Sequence, residues 1–116
     1  MKFEGKGKLI RIFIGESDKR GRHLLYEVIV KLARQRGMAG ATVFKGVEGF
    51  GANSRIHTTR VLRLSEDLPV MIEIADTEEM IRDFLPHLDE LVTEGLITME
   101  NVEIIKYSHN DSDEQG

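Results

Sequence analysis

The residues best suited to chemistry lie between Gly40 and Arg63. The stretch "GATVFKGVEGFGANSRIHTTR" runs from a β-rich segment into Gly49-Phe50-Gly51, then into Asn53, Arg55, His57 and Arg60, with Arg63 beyond. Glycine lets backbone N–H groups come close to a bound group because no Cβ intervenes. Successive N–H groups in a turn form a concavity suited to an anion. Arginine adds planar, charge-assisted donors. The chemistry this pattern offers is capture of a phosphate-bearing group, with Phe50 placed either to stack on a base or to pack at the loop root. The plainer alternative is a turn followed by a solvated basic stretch, which is what a lone Gly-x-Gly most often marks.

Other polar residues add less. Glu73 sits inside the apolar run "VMIEIA" and needs a partner if its strand face is covered, so it is a candidate ligand or intersubunit contact. Glu16 and Asp18 follow the first apolar run, where they either set a turn and cap a helix or line a cleft. The four histidines have no paired-ligand spacing and cysteine is absent, so no metal site is expected. No nucleophile–base pair or P-loop is present either, and a non-enzymatic binding protein is expected.

The elements that hold these residues are legible in the periodicity. Residues 9–14, "LIRIFI", read as a strand. From 22 to 36, Leu25, Val28, Ile29, Leu32 and Ala33 recur at helical spacing, and Gly37 stands where a C-terminal glycine belongs. Residues 41–47 and 69–75 read as strands. Asp76 as N-cap with Glu79 three positions on opens a second helix, which Pro86 should kink and Gly95 should end. Residues 101–107 form a last strand. The order β-α-β-β-α-β is the ferredoxin-like arrangement, a four-stranded antiparallel sheet with two helices on one face. One domain over 1–107 is expected, with a long connection over 49–68 and a disordered acidic tail over 108–116. A connection of that length in a small domain is usually functional.

Composition sets outer limits. A chain of 116 residues with 41% hydrophobic content suits one globular domain. Its formal net charge of −4 argues against nucleic acid as a partner. The absence of cysteine, and of an apolar run behind Met1, leads to the expectation of a cytoplasmic protein. Two helices cover only one sheet face. Alternation assigns Arg11, Phe13, Thr42, Phe44, Met71, Glu73, Glu103, Ile105 and Tyr107 to the other. That set is too apolar to stay fully wet, which suggests subunits meeting across their sheets.

The blocks "GESDK", "GMAGATVFKGVEGFG", "RIHT", "LSEDLPVMIEI", "FLPHLDEL" and "GLITMENVEIIKY" resemble a PII-like family of small uncharacterised bacterial and archaeal proteins, over about residues 8–107. The family is related to the PII signalling proteins. The resemblance implies a homotrimer that binds an adenine nucleotide in intersubunit clefts and reports through a long T-loop. Carried over, it assigns Gly49 and Gly51 to the phosphate-facing loop base, Thr42 and Glu73 to the strand ends near the adenine, and Asn53 to a phosphate-reading position. The spacing from Thr42 to Gly49 is one residue longer than in PII, and a bulge at Gly46 would absorb it. "GLITMEN" lacks the second glycine and the lysine with which PII grips outer phosphates, so AMP or ADP is favoured over ATP. The resemblance also implies a membrane transporter or channel as a possible partner. The competing reading is a structural or transporter-associated trimer without a nucleotide.

Overall fold

A computed structural model describes residues 2–52 and 67–110. The expected site residues Asn53, Arg55 and His57, and most of the 49–68 connection, lie outside the described residues. The elements are β1 (Lys2–Gly15), a small hairpin of β2 (Lys19–Arg20) and β3 (His23–Leu24), α1 (Leu25–Gln35), β4 (Thr42–Lys45), β5 (Pro69–Asp76), α2 (Glu78–Leu91) and β6 (Leu96–Ser108). The main sheet has four strands in the order β4-β5-β1-β6, all antiparallel. This is the expected ferredoxin-like fold.

The core follows from strand alternation. Ile10, Ile12 and Ile14 on β1 and Val70, Ile72 and Ile74 on β5 are buried against Leu25, Ile29 and Ala33 of α1 and Ile81, Phe84 and Leu88 of α2. Every second strand residue points to the helices, and the helical residues recur at three and four positions.

Both helix ends can be explained residue by residue. Gly37 adopts φ +77°, and the N–H groups of Gly37 and Met38 donate to the carbonyls of Arg34 and Ala33. Those two bonds close α1 in a Schellman motif, with Met38 packed against the core over Ala33. At α2 the expected cap shifts by one residue. Thr77, not Asp76, is the N-cap, and its Oγ1 accepts from Met80 N at 3.2 Å. Asp76 is buried and accepts from Ala39 N at 2.8 Å and Thr77 N at 2.7 Å, pinning the connection after α1 to the end of β5. Pro86 lies inside α2, which continues on both sides of it.

Several boundaries differ from the sequence expectation. β1 and β6 are longer than their apolar runs, because they pair with each other from Lys2↔Ser108 to Phe13↔Leu96. Beyond Lys8 they form a two-stranded ribbon that β5 does not reach. α1 starts at Leu25, since His23 and Leu24 are taken up by the hairpin. β4 pairs with β5 without a register shift, so Gly46 is no bulge; its N–H donates to Pro69 O at 2.8 Å and ends the strand.

The register also corrects the uncovered face. Leu9↔Glu100, Arg11↔Thr98 and Gly7↔Val102 are partners, so Thr98, Glu100 and Val102 share the face of Arg11 and Phe13. Glu103, the partner of Lys6, falls on the opposite side. Ile105 lies in the irregularity between Phe3 and Gly5, outside the regular alternation. That shift brings Tyr107 into register with Phe3, on the alternation of Arg11. On β4 and β5 the expectation holds: Thr42↔Glu73 and Phe44↔Met71 are partners opposite the helices.

Candidate functional site

Three chain segments meet where the 49–68 connection leaves and rejoins the sheet. They are the turn after β1, the end of β4 and the start of β5. Glu16 N donates to Leu68 O at 2.8 Å. Ser17 donates to Asp67 Oδ1 through its backbone N at 3.3 Å and its hydroxyl at 2.7 Å. Lys45 Nζ lies 2.9 Å from Glu16 Oε2. The other Glu16 oxygen, Oε1, is buried and accepts no hydrogen bond among the described residues.

The expected glycines are placed beside this base. Gly49 adopts φ +146°, and a Cβ there would stand 3.3 Å from Pro69 Cγ. Its need for glycine is therefore both conformational and steric. Gly51 has neither constraint within the chain: a Cβ would meet nothing within 4 Å. Phe50 is 71% exposed and Val47 93%, so neither is packed into the core of the described residues.

Thr42 and Glu73 form a register pair at the other end of β4. The strand rise puts them about 10 Å from Lys45. Glu73 has a partner in its own chain. Arg11 Nε donates to Glu73 Oε2 at 3.0 Å and Arg11 Nη1 donates to Glu100 Oε1 at 2.6 Å. Glu100 first, then Glu73, raise the Arg11 pKa further above its ordinary range. The triad sits among Phe13, Phe44, Met71 and Leu96 on the uncovered face.

Lys45, Ser17 and Asp67 belong to this candidate site and are not singled out by the sequence. "GESDK" offers Glu16 and Asp18 as turn, cap or cleft residues but gives no sign of Ser17, and no local pattern links Lys45 to Glu16 across α1. Among the described residues of the base, 15–18, 45–52 and 67–69, Lys45 is the only cation, beside Glu16, Asp18, Glu48 and Asp67. The described base is thus more acidic than the stretch that follows Gly51. No group of three or more His, Cys, Asp or Glu able to hold a metal occurs among the described residues. No described helix is long and apolar enough to cross a membrane.

Comparison with known proteins identifies the fold and the family of the chain. The structure resembles a putative PII-like signaling protein from Thermus thermophilus, with TM-score 0.61 and 20% identity, covering 88% of this chain and 92% of that one. It also resembles CPII from Thiomonas intermedia K12, solved bound to ADP and bicarbonate, with TM-score 0.55 and 18% identity over 90% of this chain and 91% of that one. These likenesses show a PII-like fold. In sequence, the chain is 39% identical over 100 residues to a UPF0166 protein of Aquifex aeolicus (strain VF5), covering 86% of this chain and 94% of the relative. Residues 7–104 match the model of the DUF190 family, described as an uncharacterized ACR. The chain belongs to the DUF190 family, whose fold is that of the PII-like proteins.

Proposed function

We propose that the protein is a PII-like regulator rather than an enzyme. It assembles as a homotrimer, binds an adenine nucleotide, AMP or ADP, at the loop base between subunits, and acts on a partner through the 52–68 segment. The observation that carries this reading is the loop base itself: β4 and β5 release and recover a long connection beside Gly49, on a fold shared with a protein solved bound to ADP. Exposed Phe44, Val47 and Phe50 surround that base and favour cover by a neighbouring subunit. Thr42, Gly49, Phe50, Gly51 and Glu73, with Asn53, Arg55 and His57, are the proposed contact residues. A membrane transporter or channel is the proposed class of partner, and the cytoplasm the proposed location. The proposed domain spans 1–107, with a disordered tail after it.

Calorimetric titration with AMP, ADP, ATP and cyclic nucleotides tests the reading. Saturable heat with AMP or ADP is expected, with ATP gaining little over ADP. Arg55→Ala should weaken ADP about ten- to a hundredfold, as loss of one charge-assisted contact implies, and leave adenosine nearly unchanged. A hundredfold preference for ATP would overturn this account of the phosphate site. The acidic character of the described base favours one other reading, a scaffold trimer with no nucleotide. Absence of heat with every nucleotide, from a protein that sediments as a trimer, would establish that reading instead.

A further inference from the structure

We infer that the 15–18 turn is a coupling element that makes the first turn of α1 depend on the ends of β4 and β5. The turn is tied on one side to the strand ends and on the other to α1. Glu16 holds Leu68 O through its backbone and Lys45 through its carboxylate. Ser17 holds Asp67 Oδ1 through both its N–H and its hydroxyl. Asp18 closes the turn, its Oδ2 accepting from Gly15 N at 2.9 Å, while its backbone carbonyl accepts from Leu25 N at 2.7 Å.

That last bond matters because α1 has no cap of its own. Its N-cap residue is Leu24, which makes no side-chain capping bond. The first N–H groups of a helix have no intrahelical acceptor, and most helices satisfy one with a Ser, Thr, Asp or Asn side chain. Here the Asp18 carbonyl takes that place, and Asp18 is held by a turn anchored on Asp67, Leu68 and Lys45. The packing at the anchor is close. A Cβ at Gly15 would lie 2.8 Å from Asp67 Oδ1 and 3.0 Å from Asp18 Oδ1, so glycine is what lets both carboxylates close on the turn. α2 has the contrasting arrangement: its cap, Thr77, is part of its own chain segment and touches none of these groups.

Two consequences follow. A ligand or partner that moves Lys45 or Asp67 changes the order of residues 25–28 without touching them. It also alters one wall of the groove between α1 and α2, where His23, Glu27 and Val28 face His87, Glu90 and Leu91. The coupling is a property of the described contacts and stands whether or not the ligand is a nucleotide.

Amide hydrogen exchange on the intact chain tests it. Ser17→Ala removes only the hydroxyl donor, and Asp67→Ala removes the acceptor for both Ser17 bonds. The expected result is exchange at Leu25 and the next few amides of α1 faster by about three- to tenfold, the scale of one hydrogen bond, with Asp67→Ala the larger. Asp67→Asn keeps an acceptor oxygen and should return most of the protection. Met80, the first-turn amide of α2 held by Thr77, should not change. Unchanged exchange at Leu25 in Asp67→Ala would overturn the inference. So would an equal loss of protection at Leu25 and Met80, which would mean general destabilisation rather than coupling.

Discussion

At the scale of single residues, the buried end of β5 shows how neighbours can exchange roles. The pattern Asp76-x-x-Glu79 reads as a capping box, yet Thr77 caps and Asp76 ties two backbone N–H groups in the interior. Thr77→Ala should cost about 1 kcal/mol, the usual effect of losing a cap. Asp76→Ala should cost more, about 3 kcal/mol, because Ala39 N and Thr77 N both lose their acceptor at a buried site. Urea denaturation of the two variants gives the order directly. Sequence alone misplaces the cap because both residues are good caps, and only the approach of Ala39 decides between them. Gly49 and Gly51 are a similar case. Equivalent in the Gly-x-Gly pattern, they differ in the fold: Gly49→Ala should cost about 1–3 kcal/mol for its backbone conformation, and Gly51→Ala less than about 0.5 kcal/mol. Glu78 adds a pH dependence. Its hydrogen bond from Arg82, and then the charge of Lys8, hold its carboxyl below the ordinary value of 4.5. A lowered folded pKa stabilises above the unfolded pKa, and that contribution is lost as pH falls through the folded value. Glu78→Gln should therefore flatten the acid limb of stability measured from about pH 6 down to about pH 3, by a small amount because the pair is exposed.

At the scale of elements, alternation and helical spacing identify both helices and all four strands of the main sheet. The reason is physical: Ile10, Ile12, Ile72 and Ile74 on one side, and Ile29, Ile81, Phe84 and Leu88 on the other, must meet. Phe84→Ala should lose about 3–5 kcal/mol by thermal or urea unfolding, as for other large core side chains. Strand ends are less legible. The outer parts of β1 and β6 contain Lys2, Glu4, Lys6, Glu103 and Lys106, which carry no apolar signal, and cross-strand pairing alone extends them. The face of β6 escapes sequence reading for a related reason. Its parity is set by register with β1, which is not visible in either strand separately.

At the scale of the whole molecule, the uncovered face sets the expectation of assembly. Phe13, Phe44, Met71 and Leu96 surround Arg11, Glu73 and Glu100, which leaves one excess negative charge among these three groups. Sedimentation at micromolar concentration should show a trimer, with Phe13 and Met71 losing exposure on assembly. A stable monomer would contradict the proposed architecture. Arg11→Ala should weaken the trimer, because two carboxylates would then face an apolar interface without a cation. The sheet face is half legible: alternation places β1, β4 and β5 correctly, and the triad stays hidden because Glu100 precedes the run that marks the last strand.

The central position of β1 has a consequence for how the chain acquires its shape. β1 is made first, yet its two partners are β5 and β6, the last strands of the sheet to be synthesised. No local hairpin can nucleate the central pairing, so folding waits on closure of long stretches of chain. Such non-local sheets fold slowly, on the order of milliseconds to seconds. At translation rates of about 5–20 residues per second, β1 stays unpaired for several seconds after it emerges. During that interval "LIRIFI" is an exposed apolar strand with a single charge, Arg11, to discourage association with other chains. Arg11 therefore has an earlier duty than its ion pairs in the finished sheet. Its replacement by an apolar residue should first become visible as a lower yield of soluble protein during synthesis.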